Sequence, residues 1–160
     1  MAFPFTMRRQ RGNLWMPDVS AARVPRVSGQ LESSLYVGDL DASVAFYQRV
    51  FGFEVLLRED RMVGLAVPGN TVLLLFRRGG SVQPSVTPGG TIPAHDGRGT
   101  MHLCFAIPLS ALDDWERHLA ALGIPVESRV TQSLGGTSLY FRDPDGHSLE
   151  VAVPGLWAVY

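Results

Sequence analysis

No lysine occurs anywhere in the 160 residues, and all 14 basic side chains are arginine. That absence removes Schiff-base chemistry and the phosphate-gripping lysine of a P-loop from the possible mechanisms. Cysteine is nearly as scarce: Cys104 stands alone, so no disulfide can close within the chain and a reducing, cytoplasmic setting is expected. Long apolar runs are missing too. Stretches such as Val72 to Phe76 are far too short to cross a bilayer, so no membrane partner is expected. Arg8, Arg9 and Arg11 lie near the start, but no apolar segment follows them, so they are not read as an export signal. The net charge of -1 lacks the positive excess that nucleic-acid binding normally needs.

With 46% hydrophobic residues, the chain has material for the core of one domain and is too short for two ordinary ones. Residues 1–28 show no period and carry Pro4, Pro17 and Pro25 among scattered arginines. They read as an N-terminal arm that packs through Phe3, Phe5 and Trp15. A single domain over residues 29–156 follows, with residues 157–160 as a tail.

Within the domain the pattern repeats. Leu31 to Val37 alternates as a strand does, and Asp39 or Asp41 signals a helix start. Val44, Phe46, Tyr47 and Val50 follow at helical spacing until Gly52. Strands are predicted over Phe53 to Leu57, Met62 to Val67 and Thr71 to Phe76, the last two joined by Pro68-Gly69-Asn70. The first module, about 30–78, therefore reads βαβββ. After a Gly- and Pro-rich linker over 79–99, the second module, about 100–154, has the same order. Met101 to Ile107 is a strand, Ser110 caps a helix holding Leu112, Trp115, Leu119 and Leu122, and Gly123 ends it. Strands at Ile124 to Val130, Ser138 to Arg142 and Ser148 to Val153 complete it, with Asp143-Pro144-Asp145-Gly146 as a hairpin turn.

Registering the modules on their first strands matches Glu32 with His102, and registering the hairpin turns matches Leu73 with Glu150. Strand residues two apart share a face. Glu32, Ser34 and Tyr36 thus share one face, as do His102 and Cys104, and as do Ser148, Glu150 and Ala152. Leu35, Val37, Leu103, Phe105, Leu149 and Val151 make the opposite, apolar faces. The expected architecture is α+β: two βαβββ modules forming a curved, half-barrel-like mixed sheet around a shared cavity, helices outside. Glu32, His102 and Glu150 point towards that cavity.

Two segments resemble the signatures of the vicinal oxygen chelate superfamily of glyoxalases, bleomycin-resistance proteins and extradiol dioxygenases. One is Leu35-Tyr36-Val37-Gly38-Asp39-Leu40-Asp41-Ala42-Ser43 with Phe46-Tyr47; the other is Tyr140-Phe141-Arg142-Asp143-Pro144-Asp145-Gly146-His147 with Leu149-Glu150. The resemblance implies one divalent metal ion held by Glu32, His102 and Glu150, the fourth family position falling on Leu73, which has no ligand atom. One imidazole and two carboxylates suit Mn, Fe, Ni, Zn or Mg. Three protein ligands leave positions open for water and substrate. The metal would then grip two neighbouring oxygens of a small substrate and stabilise the charge of an enolate or alkoxide.

The resemblance implies a glyoxalase-like lyase or isomerase, with Glu32 and Glu150 as catalytic carboxylates and Glu32 as the base. The alternative is a metal-free protein that binds a drug or metabolite, as bleomycin-resistance proteins do. A dioxygenase is a third reading, disfavoured because a His has become Glu32. Fosfomycin-modifying transferases share features like Ser138, Tyr140 and Glu150, but no Arg follows Glu150 here. Tyr36, His95, Cys104, Ser138, Tyr140 and Arg142 are candidate substrate contacts, His95 as a proton shuttle from the linker. His147 reads as structural and His118 as solvent-exposed. A homodimer is implied by resemblance, since some family members complete their sites across an interface.

Overall fold

The computed structural model describes residues 24–160. Phe3, Phe5 and Trp15 of the expected arm lie outside the described residues. Two units are distinguished, Met1–Gln30 and Leu31–Tyr160. Of the first, residues 24–30 are exposed and contain no helix or strand.

The second unit holds two four-stranded mixed sheets. The first comprises β1 (Glu32–Val37), β2 (Glu54–Arg58), β3 (Met62–Val67) and β4 (Thr71–Arg77), ordered β1-β4-β3-β2. After β5 (Ser85–Thr87) and β6 (Gly90–Ile92), the second comprises β7 (His102–Ala106), β8 (Ser128–Thr131), β9 (Thr137–Arg142) and β10 (Ser148–Ala152), ordered β7-β10-β9-β8. In each sheet the first strand runs parallel to the last, and the remaining pairs are antiparallel. The expected pair of βαβββ modules is present, as two separate sheets with no closed barrel.

Helix α1 (Leu40–Phe51) forms where the sequence signals it. Asp39 is extended, and its side chain accepts from the Ala42 N–H at 3.0 Å. Gly52 at φ 70 ends the helix and donates to the Gln48 carbonyl. Helix α2 (Leu112–Ala121) starts differently from expectation. Pro108 opens a short 3-10 turn at Leu109–Ala111, so Ser110 lies inside that turn and α2 has no side-chain cap. The strand expected from Ile124 shrinks to β8, because the Ile124 N–H is spent closing the helix on Leu119 and Pro125 has none to offer. The 79–99 linker, expected to be irregular, contains the small β5–β6 ribbon.

The helix-facing sides of both sheets contribute to one core. Leu35, Val37, Leu73 and Leu75 join Leu139, Phe141, Leu149 and Val151 there, all at 1% exposure or less. Phe51 of α1 bridges the halves, with ring centroids 4.6 Å from Phe105, 5.4 Å from Trp115 and 6.1 Å from Phe141. The faces carrying Glu32 on one sheet and His102 and Glu150 on the other are therefore turned away from this shared core.

The pairing corrects one register assignment. Glu32 sits opposite Val72 and His102 opposite Ser148, so Leu74, opposite Ser34, occupies the place that Glu150 has opposite Cys104. Leu73, expected to match Glu150, lies at 0% exposure on the core side. Aligning by the hairpin turn was one residue out, and one residue exchanges the two faces of a strand. Either leucine lacks a ligand atom.

Candidate functional site

The second-module hairpin turn binds the two halves together. Asp143, nearly buried, accepts from the backbone N–H groups of Asp145 and His147 and from the Tyr47 hydroxyl at 3.0 Å. Asp145 accepts from the Gly38 N–H at 2.8 Å and pairs with Arg78 at 3.0 Å. His147 is fully buried, takes the Met101 N–H on Nδ1 and gives its Nε2 proton to the Tyr36 carbonyl. His147 is thus a structural strut. Burial first, and the Asp143 carboxylate second, push the Tyr47 phenol far above its ordinary pKa. His118 is exposed, as expected, yet its Nε2 reaches the Val50 carbonyl at 3.0 Å.

On the open face of the second sheet, β7 and β10 place His102 beside Glu150. The His102 Nε2 stands 3.2 Å from Glu150 Oε2. Nδ1 lies 3.1 Å from the Ser148 carbonyl, which can only accept, so Nδ1 carries a proton. In a neutral imidazole Nε2 then presents a lone pair to a carboxylate oxygen. Two acceptors at that distance require a cation between or beside them, either a proton or a metal. Glu150 is 3% exposed, and its other oxygen, Oε1, has no hydrogen-bond partner. The Tyr140 hydroxyl and the Cys104 thiol stand beside this carboxylate as neutral donors, and a cation there would complete its surroundings. The donor set fits two positions of a divalent-metal site.

Among the described residues, no group of three or more His, Cys, Asp and Glu side chains is placed to hold a metal ion. Glu32 is exposed at the start of β1, on the other sheet.

The remaining candidates divide between the two open faces. Tyr140 stacks against the His102 ring, with centroids 6.2 Å apart. Burial, then the Glu150 carboxylate, raise its phenol and keep it protonated. Ser138 is fully buried two residues away, and its hydroxyl also lacks a partner. Cys104 lies on this exposed face beside Glu150; partial desolvation and then that carboxylate push its thiol up to about 12. Arg142 shares the face, but its guanidinium is occupied by Glu127 at 2.9 Å and by the Gly146 carbonyl.

Tyr36 and His95 lie on the first sheet's open face. The Tyr36 hydroxyl meets His95 Nδ1 at 2.7 Å, and both rings pack on Phe76. The sequence reading missed Phe76, Arg61 and Ser81 around this pair. Strand parity could have found Phe76, which sits opposite Tyr36; nothing local marks the other two.

Among the described residues no helix is long and apolar enough to cross a membrane. A lactoylglutathione lyase structure from Agrobacterium tumefaciens is 37% identical, with a TM-score of 0.76 over 84% of this chain and 99% of that one. The metallothiol transferase FosB of Bacillus licheniformis is 29% identical over 72% of this chain and 68% of its own length. The catechol-2,3-dioxygenase of Bacillus subtilis is 28% identical over 74% of this chain and 39% of its own. The family model of the Glyoxalase/Bleomycin resistance protein/Dioxygenase superfamily matches residues 27–151, and with nearly the whole two-module unit inside that match the chain belongs to this superfamily.

Proposed function

We propose that the protein is a metal-dependent enzyme of the glyoxalase-like lyase or isomerase type, acting on a small substrate with two adjacent oxygens. The observation that carries this reading is the buried Glu150 carboxylate, one oxygen 3.2 Å from His102 Nε2 and the other without a partner. The 37% identity to a lactoylglutathione lyase supports it. His102 and Glu150 of one chain would hold the ion together with Glu32 from a second copy. That arrangement answers two facts: Glu32 is not gathered with them within one chain, and the two faces look away from a common core.

When bound, the ion would supply a Lewis acid for the two substrate oxygens and offset the negative charge that develops there. The two carboxylates match its double charge, and the Ser148 carbonyl holds the His102 ring in the tautomer that offers Nε2. Glu32 accepts the proton from the carbon next to the substrate carbonyl and returns it to the neighbouring carbon, so that no proton is gained or lost overall. The Tyr140 phenol, kept protonated by burial and by Glu150, is a hydrogen-bond donor to the bound substrate.

Glu32→Gln tests this division of roles. With hemithioacetals of a thiol and a 1,2-dicarbonyl as substrate, the variant should lose turnover at least about a hundredfold and keep its metal. Unchanged turnover would remove Glu32 from the mechanism.

A further inference from the structure

Arg61 is the one arginine among the described residues that is not exposed, and it has no carboxylate partner there. It is the last residue of the β2–β3 turn and lays its guanidinium over the Phe76 ring, 5.8 Å from the centroid. One nitrogen donates to the Ser81 hydroxyl at 2.7 Å, and Ser81 is itself 2% exposed, so the head group is fixed in place. A guanidinium carries five donors, and stacking on a ring leaves those in its plane available. A half-buried cation without a counter-charge is a cost that a bound anion relieves.

The surroundings are ordered for the same purpose. Phe76 also takes the His95 ring edge-on at 4.6 Å and the Tyr36 ring in a stack at 5.7 Å. With the Tyr36 hydroxyl on its Nδ1, His95 keeps Nε2 as a donor. The loop backbone presses on this group: a Cβ at Gly97 would stand 2.4 Å from the Tyr36 ring, so only glycine fits. Asp96 lies close enough to raise the Tyr36 phenol after burial has done so. That negative charge beside Tyr36 opposes a doubly charged guest more than a singly charged one.

We propose that Arg61, with His95 and Tyr36, forms a subsite for the carboxylate end of an elongated substrate, set apart from the metal-binding end. This rests on the metal-dependent reading above, which places the adjacent oxygens of the same substrate near Glu32. Tyr36 lies four residues along β1 from Glu32 on the same face, roughly 13 Å away at the strand rise. Glu32 and Tyr36 stand on one strand, so the spacing between these two residues does not depend on how a second copy sits. The substrate class is a molecule whose adjacent oxygens and carboxylate are separated by about that length.

Calorimetric binding to the metal-loaded full chain tests it with three probes: methylcatechol, a catechol carrying a hexanoate tail, and the methyl ester of that acid. Wild type should bind the acid about tenfold or more tighter than the ester, the worth of a charge-assisted hydrogen bond. Arg61→Met should lose that preference while binding methylcatechol as wild type does, and Ser81→Ala, which only frees the guanidinium, should weaken it. Equal binding of acid and ester by wild type would overturn the subsite. A phosphonate-tailed catechol bound more tightly than the carboxylate would overturn the singly charged guest. Preference for the acid without any methylcatechol binding would leave the subsite standing and overturn the metal reading; no binding of any probe would overturn both.

Discussion

The two modules share one strand order, yet their open faces carry different chemistry. In the second sheet, His102, Glu150, Tyr140 and Ser138 crowd together, with two buried polar atoms lacking partners. In the first, Leu74 stands where Glu150 does in the second, and Glu32 stands where His102 does. The polar group of the first sheet, Arg61 with Tyr36 and His95, lies at the far end of β1 and is already hydrogen-bonded. One face sets a buried carboxylate beside an imidazole, and the other sets a half-buried guanidinium beside a histidine and a tyrosine. The hairpin turns differ in the same way. Pro68-Gly69-Asn70 only reverses the chain, whereas Asp143 to His147 reaches across to α1 and β1 and fastens the modules.

Breaking the fastening turn should cost most. Asp143→Ala leaves two backbone donors and the Tyr47 hydroxyl without their acceptor in the core, for a loss of about 3 kcal/mol in denaturant unfolding. An unchanged midpoint would show that the second turn does no more than the first.

Tyr47→Phe sharpens the same contrast through pH. The folded state holds this phenol protonated above its unfolded pKa, so its contribution is complete below about pH 10. As pH rises further the unfolded chain ionises first, and wild-type stability should fall by about 1.4 kcal/mol per pH unit. Tyr47→Phe should lower stability by about 1.5 kcal/mol at neutral pH and remove its share of the alkaline fall. Parallel alkaline limbs in the two proteins would contradict the coupling of Tyr47 to Asp143.

The smallest effect belongs to the first turn. Asn70 is the one described non-glycine residue at positive φ, 62°. Asn70→Ala should cost about 1 kcal/mol and Asn70→Gly close to nothing. A loss as large as that of Asp143→Ala would make the turns equivalent.

Much of this contrast was legible in the sequence. Asp39 and Gly52 bound the first helix as their chemistry dictates, and strand alternation assigned Glu32, His102 and Glu150 to open faces. The Asp-Pro-Asp-Gly-His run marked a turn, but its reach to Tyr47 and Gly38, roughly a hundred residues away, has no local signal. The Leu73 assignment failed because a turn aligns chain reversals, while β pairing decides faces. Alternation also tells which side of a strand a residue occupies and not which sheet it meets, so the separation of Glu32 from His102 and Glu150 within one chain was not visible.

Whether His102 and Glu150 hold a divalent ion decides between a metal-dependent enzyme and a metal-free binding protein. Metal content of protein purified without chelator, for wild type beside His102→Ala and Glu150→Ala, measures this directly. The prediction is about one ion per chain in wild type, with affinity reduced roughly a hundredfold or more in each variant. A wild type that carries no metal, and gains no thermal stability from added Mn²⁺, Ni²⁺, Zn²⁺ or Fe²⁺, would contradict it and leave a metal-free binding protein.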